Sequence, residues 1–120
     1  MVQIIPAVLA TNEAQYRENI NRLNQVSALE GSFVHIDFAD NIFVQNYTID
    51  PVVVQKFPTN LRKEAHLMIA HPKDWIDKLA AAGFKRVIFH IECEDNIDKC
   101  IELIKTKNIE VGLWRMVKSN

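Results

Sequence analysis

Side chains of the metal-ligand type recur along this sequence within apolar segments. His35 and Asp37 lie two residues apart, and His66 and His90 follow in later apolar segments. Two imidazoles and a carboxylate can bind a divalent metal such as zinc, iron or manganese, because nitrogen and oxygen ligands both suit these ions. Three ligands leave coordination positions open for a substrate, and Asp37 could then also move a proton beside a carbonyl. Since a histidine in a strand is more often a hydrogen-bonded core or surface group, residue type alone leaves a structural role open.

Five segments have the apolar or alternating pattern of β-strands. They cover residues 2–9, 33–38, 62–69, 86–92 and 109–113. In the second segment, alternation places His35 and Asp37 on one face, and in the third it places Glu64, His66 and Met68 on one face. The strands therefore predict which polar side chains point the same way.

Helical patterns separate these strands. Asn12 and Gln15 have the spacing of a capping box, and a short segment after Pro51 is helical or irregular. The most clearly patterned helix runs from Pro72 to Gly83. The apolar positions of the first and last helices are Tyr16, Ile20, Leu23 and Val26, and then Ile97, Cys100, Ile101 and Ile104.

Alternating strands and helices predict an α/β fold with a parallel sheet. The length of 120 residues suits a complete flavodoxin-like domain, whereas a whole (β/α)₈ barrel needs ~250 residues. The polar residues favour the barrel, because the ends of its strands converge on one mouth. The residues Pro6-Ala7-Val8 also lack the acidic pair or glycine-rich turn expected of the open-sheet alternative.

The composition is that of an ordinary globular domain, with 48% hydrophobic and 24% charged residues. We expect residues 1–120 to form a single soluble, cytoplasmic domain. The formal net charge of −1, with acids and bases interspersed, gives no basis for nucleic acid or a membrane as a partner. Cys93 and Cys100 match neither a redox nor a zinc-binding spacing and are expected to be reduced.

Four ordered motifs resemble those of ribulose-phosphate 3-epimerases. They read IPAVL at 5–9, VHIDFAD at 34–40, FVQNYTIDP at 43–51 and AHLMIAHP at 65–72. The resemblance extends from residue 4 to about residue 113 and corresponds to the first half of a family member. It implies a half (β/α)₈ barrel of four to five parallel strands, and an isomerase of pentose phosphate metabolism. That isomerase interconverts D-ribulose 5-phosphate and D-xylulose 5-phosphate through an enediolate.

The resemblance also implies roles for individual residues. His35, Asp37 and His66 correspond to ligands of one divalent metal ion, and Asp37 also to one of two acid/base carboxylates. Met68 and His90 correspond to residues beside the sugar-phosphate substrate.

The sequence departs from the family pattern at several positions. Ala7 replaces a serine, Asn41 replaces a glycine in a loop where we expect positive φ, and the residues after Leu113 do not match the family's continuation. The second acid/base aspartate and the phosphate loops are missing, so we expect impaired activity and a homo-oligomer that closes the exposed strand edges. Two alternatives stay open. One is a non-catalytic half-barrel that binds a metal or oligomerises, and the other is an epimerase of hexulose 6-phosphates.

Overall fold

The computed structural model describes residues 4–116, which form one five-stranded parallel sheet with helices between the strands. The strands are β1 (Ala7–Val8), β2 (Phe33–Ala39), β3 (Arg62–Met68), β4 (Arg86–His90) and β5 (Glu110–Trp114). The α-helices are α1 (Glu13–Asn24), α2 (Pro51–Gln55), α3 (Ile76–Ala81) and α4 (Ile97–Thr106). Short 3₁₀ helices at Ser27–Leu29 and Pro72–Trp75 complete the connections.

The order of the strands in the sheet decides between the two candidate architectures. It runs β1-β2-β3-β4-β5, so each strand lies beside its neighbour in sequence. In a flavodoxin-like sheet the order of the strands reverses at a switch point, so neighbouring strands are not consecutive in sequence throughout the sheet. The consecutive order is that of a (β/α)₈ barrel, and the chain forms part of such a barrel.

The helices pack on one face of the sheet. Val34, Ile36 and Phe38 of β2 are buried in the same apolar cluster as Ile20 of α1 and Leu79 of α3. Alternation in β2 therefore directs His35 and Asp37 to the opposite face, as the sequence predicts. In a barrel this opposite face is the interior.

Local sequence signals account for most of the helix boundaries. The Asn12 side chain accepts a hydrogen bond from the Gln15 backbone N–H, as predicted for the start of α1. The reciprocal bond of a capping box is not formed, because the Gln15 side chain accepts from the Thr11 backbone instead. After α3, Gly83 has φ of 80° and ends the helical segment as expected.

Several strands and one helix were predicted to be longer than they are in the structure. In the described residues the first strand is limited to β1, since Pro6 has no backbone N–H for a strand ladder; residues 2 and 3 lie outside the described residues. The third and fourth strands end at Met68 and His90, one and two residues early. Val26 follows the end of α1 and is 45% exposed, so it is not part of the buried helical face.

Candidate active site on the inner face of the sheet

Strand register brings the predicted site residues together. Asp37 of β2 pairs with His66 of β3, and His35 pairs with Glu64. Because paired residues in neighbouring strands point to the same face, all four side chains lie on the face away from the helices. His90, at the end of β4, pairs with Trp114 at the end of β5.

His35, Asp37 and His66 form the centre of the site. The Asp37 Oδ1 atom lies 2.8 Å from His66 Nδ1 and 3.1 Å from His35 Nε2. One ligand atom from each of the three residues lies within 4.8 Å of the other two. In a tetrahedral site, zinc–nitrogen and zinc–oxygen bonds of roughly 2.0–2.2 Å place neighbouring ligand atoms about 3.3–3.6 Å apart. The donor set and its spacing therefore fit a divalent first-row ion.

Hydrogen bonds shift the pKa values of Asp37 and His35. Burial favours a higher pKa for Asp37, but the hydrogen bonds from His35 and His66 outweigh it and hold that pKa well below its ordinary value. The hydrogen bond with Asp37 raises the pKa of His35 against the opposing effect of burial, and the bond with Glu64 adds to the rise. An anionic carboxylate between two imidazoles is an environment that attracts a cation.

A second carboxylate lies beneath the centre. Glu64 is 6% exposed, and its Oε2 accepts a hydrogen bond of 2.7 Å from His35 Nδ1. Its Oε1 accepts one of 2.8 Å from Arg86 Nη1, and Arg86 Nε in turn donates to Glu110. Burial favours a higher pKa for Glu64, but the bonds from Arg86 and His35 outweigh it and lower the pKa. Glu64 is therefore a buried anion with donors at both oxygens.

His90 lies on the other side of His66. The two Nε2 atoms are 2.8 Å apart and share a hydrogen bond, while the Nδ1 atom of His90 is buried and has no hydrogen-bond partner within residues 4–116. Burial lowers the pKa of His90, and the neighbouring His66 lowers it further. The structure thus places His90 in direct contact with the predicted ligand set.

Two aromatic side chains cover this group. The Trp114 ring centroid lies 4.4 Å from that of His66, and Phe43 lies 5.2 Å from His90. Trp114 remains 46% exposed, so its outer face borders solvent. Met68 is half-buried at the end of β3, in register with Ala39. The structure places Met68 on the same face as His66 and two residues further toward the carboxyl ends of the strands.

The long loop after β2 is anchored near the same edge. One oxygen of Asp40 accepts hydrogen bonds from the backbone N–H groups of Ile42 and Phe43, and the other accepts from Ala70. Asn41 has φ of 60°, which confirms the expected positive φ at this position. These bonds define the path of the loop that carries Phe43 to His90.

Glu64, Arg86, Phe43 and Trp114 received no functional role from the sequence. Alternation correctly put Glu64 on the face of His66, but only the strand register shows that it contacts His35. Trp114 follows the last segment that the sequence motifs cover, so no motif indicated a function for it.

Consecutive parallel strands with polar side chains near their carboxyl ends define a barrel-type α/β protein of the kind that carries enzymatic sites at this edge. A sequence model of the ribulose-phosphate 3-epimerase family matches residues 3–117, and the chain belongs to that family. It is similar to the ribulose-phosphate 3-epimerase, cytoplasmic isoform, of Oryza sativa subsp. japonica, with 32% identity over 92% of this chain and 49% of the relative.

Two further relatives show the same pattern of coverage. The ribulose-phosphate 3-epimerase of Schizosaccharomyces pombe is 33% identical over 93% of this chain and 51% of its own length. That of Bacillus subtilis is 30% identical over 94% of this chain and 52% of its own length. The chain therefore spans about half the length of the curated relatives that it matches. No helix within residues 4–116 is long and apolar enough to cross a membrane.

Proposed function

We propose that this chain provides the metal-binding half of a ribulose-phosphate 3-epimerase site. His35, Asp37 and His66 are its ligands for one divalent ion, with zinc, iron and manganese as the candidates. The observation that carries the proposal is the convergence of three ligand atoms within 4.8 Å on neighbouring strands. The epimerase names of the relatives support the sugar-phosphate substrate.

Asp37 is the proposed acid/base group of this half-site. Its carboxylate is only partly exposed and is oriented by two imidazoles, so it can accept a proton from a carbon beside a ketone. A bound divalent ion would polarise the neighbouring carbonyl and so acidify that C–H bond. Epimerisation at C3 needs proton transfer on both faces of the substrate, and Asp37 serves one of them.

His90, Met68 and Trp114 are proposed to border the substrate. His90 and Trp114 flank His66, and Met68 follows it on the same face of β3. The apolar surfaces of Met68 and Trp114 would limit the access of water to the reacting carbon. A cytoplasmic role in pentose phosphate metabolism belongs to the same proposal, supported by the rice relative, whose name includes the words cytoplasmic isoform.

We extend the proposal to a second copy of the chain as a partner. Within the described residues, β1 and β5 each pair with one strand, which leaves an outer edge on both. Exposed strand edges favour pairing with another chain. Light scattering of the purified chain tests this part, since a monomeric mass at micromolar concentration would contradict it.

Zinc and manganese titrations of the purified chain test the metal site. We expect one ion per site, lost in His66→Ala and retained in His71→Ala. His71 is a matched control, because it is exposed and lies outside the cluster of potential ligands found within residues 4–116. Absence of binding to the unchanged chain would refute the proposal.

The catalytic part is tested separately. The metal-loaded protein should convert D-ribulose 5-phosphate to D-xylulose 5-phosphate at a reduced rate, because Asp37 serves only one face of the substrate, and Asp37→Asn should abolish this conversion. Metal binding without conversion would leave a non-catalytic metal-binding half-barrel. Conversion of D-allulose 6-phosphate in preference to D-ribulose 5-phosphate would instead identify a hexulose-phosphate epimerase.

A further inference from the structure

A row of ionisable side chains crosses the inner face of the sheet and begins at His35, one of the three proposed ligands. The strand register aligns His35, Glu64, Arg86 and Glu110 side by side on β2, β3, β4 and β5. Each contacts the next through a hydrogen bond of 2.7–2.9 Å. The row therefore connects an exposed carboxylate at the edge of the sheet to a proposed metal ligand.

Glu64 is the most deeply buried member of this row. It is 6% exposed, and an ionised carboxylate at such a position is costly unless both oxygens are paired. Arg86 and His35 supply the two partners, one at each oxygen. Both carboxylate oxygens are hydrogen-bonded only when Arg86 and His35 stay in place. The hydrogen bond to Glu64 therefore also restrains the His35 ring.

We infer that Glu64 is a positioning residue that holds His35 in the orientation and tautomer required for metal binding, an inference that rests on the proposed metal site. The ionised carboxylate can only accept hydrogen bonds, so His35 Nδ1 must donate. A neutral His35 ring then carries its lone pair on Nε2, which is the nitrogen that faces Asp37. A carboxylate behind a ligating histidine performs this task in many metal sites.

Arg86 keeps Glu64 in place. Its guanidinium donates to Glu64 and Glu110 and lies 4.1 Å from the centroid of the buried Phe33 ring. The planar group is thus restrained by two hydrogen bonds and by stacking. The residue that orients His35 is itself held by a rigid neighbour.

Zinc affinity of Glu64→Gln measures this role, with Glu110→Gln as the matched control. The glutamine has the shape of glutamate, but its amide presents N–H groups to one of the two donors. We expect zinc to bind about 10–100-fold more weakly in Glu64→Gln, the usual effect of removing such a partner. Glu110→Gln changes the same functional group at the far end of the row and should leave the affinity within about twofold, since the His35–Glu64 bond remains.

The tautomer of His35 provides a readout that a merely structural role would not change. In the zinc-loaded wild-type chain, long-range proton–nitrogen correlation spectra should show His35 protonated at Nδ1 and metal-bound at Nε2. In Glu64→Gln, that pattern should weaken or be replaced by a mixture. Zinc bound through Nδ1 of His35 in the wild-type chain would overturn the inference.

Unchanged zinc affinity in a folded Glu64→Gln variant would also overturn the inference that Glu64 positions His35. Zinc binding by the wild-type chain would, in that case, still support the proposed metal site. A wild-type chain without zinc affinity would refute both. If Glu64→Gln does not fold, Arg86→Gln applies the same test, because it frees Glu64 from its anchor at a partly exposed position. Weaker zinc binding in that variant supports the inference, and unchanged binding overturns it.

Discussion

Replacement of Asp40 by asparagine should destabilise the protein by about 2–3 kcal/mol at neutral pH. Asparagine can still offer one oxygen to the Ile42 and Phe43 N–H groups, but its amide nitrogen would face the Ala70 N–H. Ala70 is 2% exposed, so its donor would be left unpaired in the interior. Loss of one charge-assisted bond and an unpaired buried donor together account for about 2–3 kcal/mol.

The pH dependence of this difference follows from the ionisation of Asp40. Burial favours a higher pKa for Asp40, but the backbone N–H groups of Ala70, Phe43 and Ile42 outweigh it and lower the pKa. A carboxyl with a lowered pKa stabilises the fold above its unfolded pKa of about 3.9 and loses that contribution as the pH falls through the folded pKa. Since protonated aspartate resembles asparagine, the difference between wild type and Asp40→Asn should narrow below about pH 4.

Urea denaturation of both proteins between pH 7 and pH 3.5 provides the measurement. Glu102→Gln, at an exposed position on α4, serves as the control and should change the stability by less than about 0.5 kcal/mol. A difference for Asp40→Asn below about 0.5 kcal/mol at pH 7 would refute the assigned bonds. A difference that grows as the pH falls would refute the assigned ionisation.

Three further predictions concern other parts of the fold. The Tyr16 hydroxyl is buried and has no hydrogen-bond partner within residues 4–116. Tyr16→Phe should therefore leave the stability in thermal unfolding unchanged or raise it by up to about 1 kcal/mol. A clear loss of stability would show that the hydroxyl has a hydrogen-bond partner. Trp114 lies 4.4 Å from the His66 ring, so Co²⁺ should quench its fluorescence in wild type and in Trp75→Phe; retained quenching in Trp114→Phe would place the ion elsewhere. Asp50 caps α2 through the N–H groups at positions 52 and 53, and Asp50→Ala should cost about 1 kcal/mol in urea denaturation; an unchanged midpoint would show that the cap contributes nothing.

Local patterns in the sequence predicted the elements and the face of each strand. Alternation placed His35 and Asp37 together, and Gly83 and Asn12 marked helix ends that the structure contains. These predictions succeeded because each depends on residues close together in sequence. Val26 shows the limit, since its spacing fits the helix but α1 ends two residues before it.

The contacts between strands could not be predicted in the same way. Glu64 contacts His35 because β2 and β3 align at one particular register, and nothing local to either segment specifies that register. Trp114 reaches His66 because β5 continues one residue further than the apolar pattern suggests. The proposed ligands could be named from family motifs, whereas the residues that contact and cover them could be identified only from the structure.

X-ray absorption spectroscopy of the zinc-loaded chain tests the central claim most directly, because it reports the atoms bound to the metal. His35, Asp37 and His66 predict only nitrogen and oxygen ligands at about 2.0–2.2 Å, with the scattering pattern of two imidazoles. Sulfur at about 2.3 Å, which would implicate Cys93 or Cys100, would contradict this ligand set. A spectrum without two imidazoles would contradict it equally.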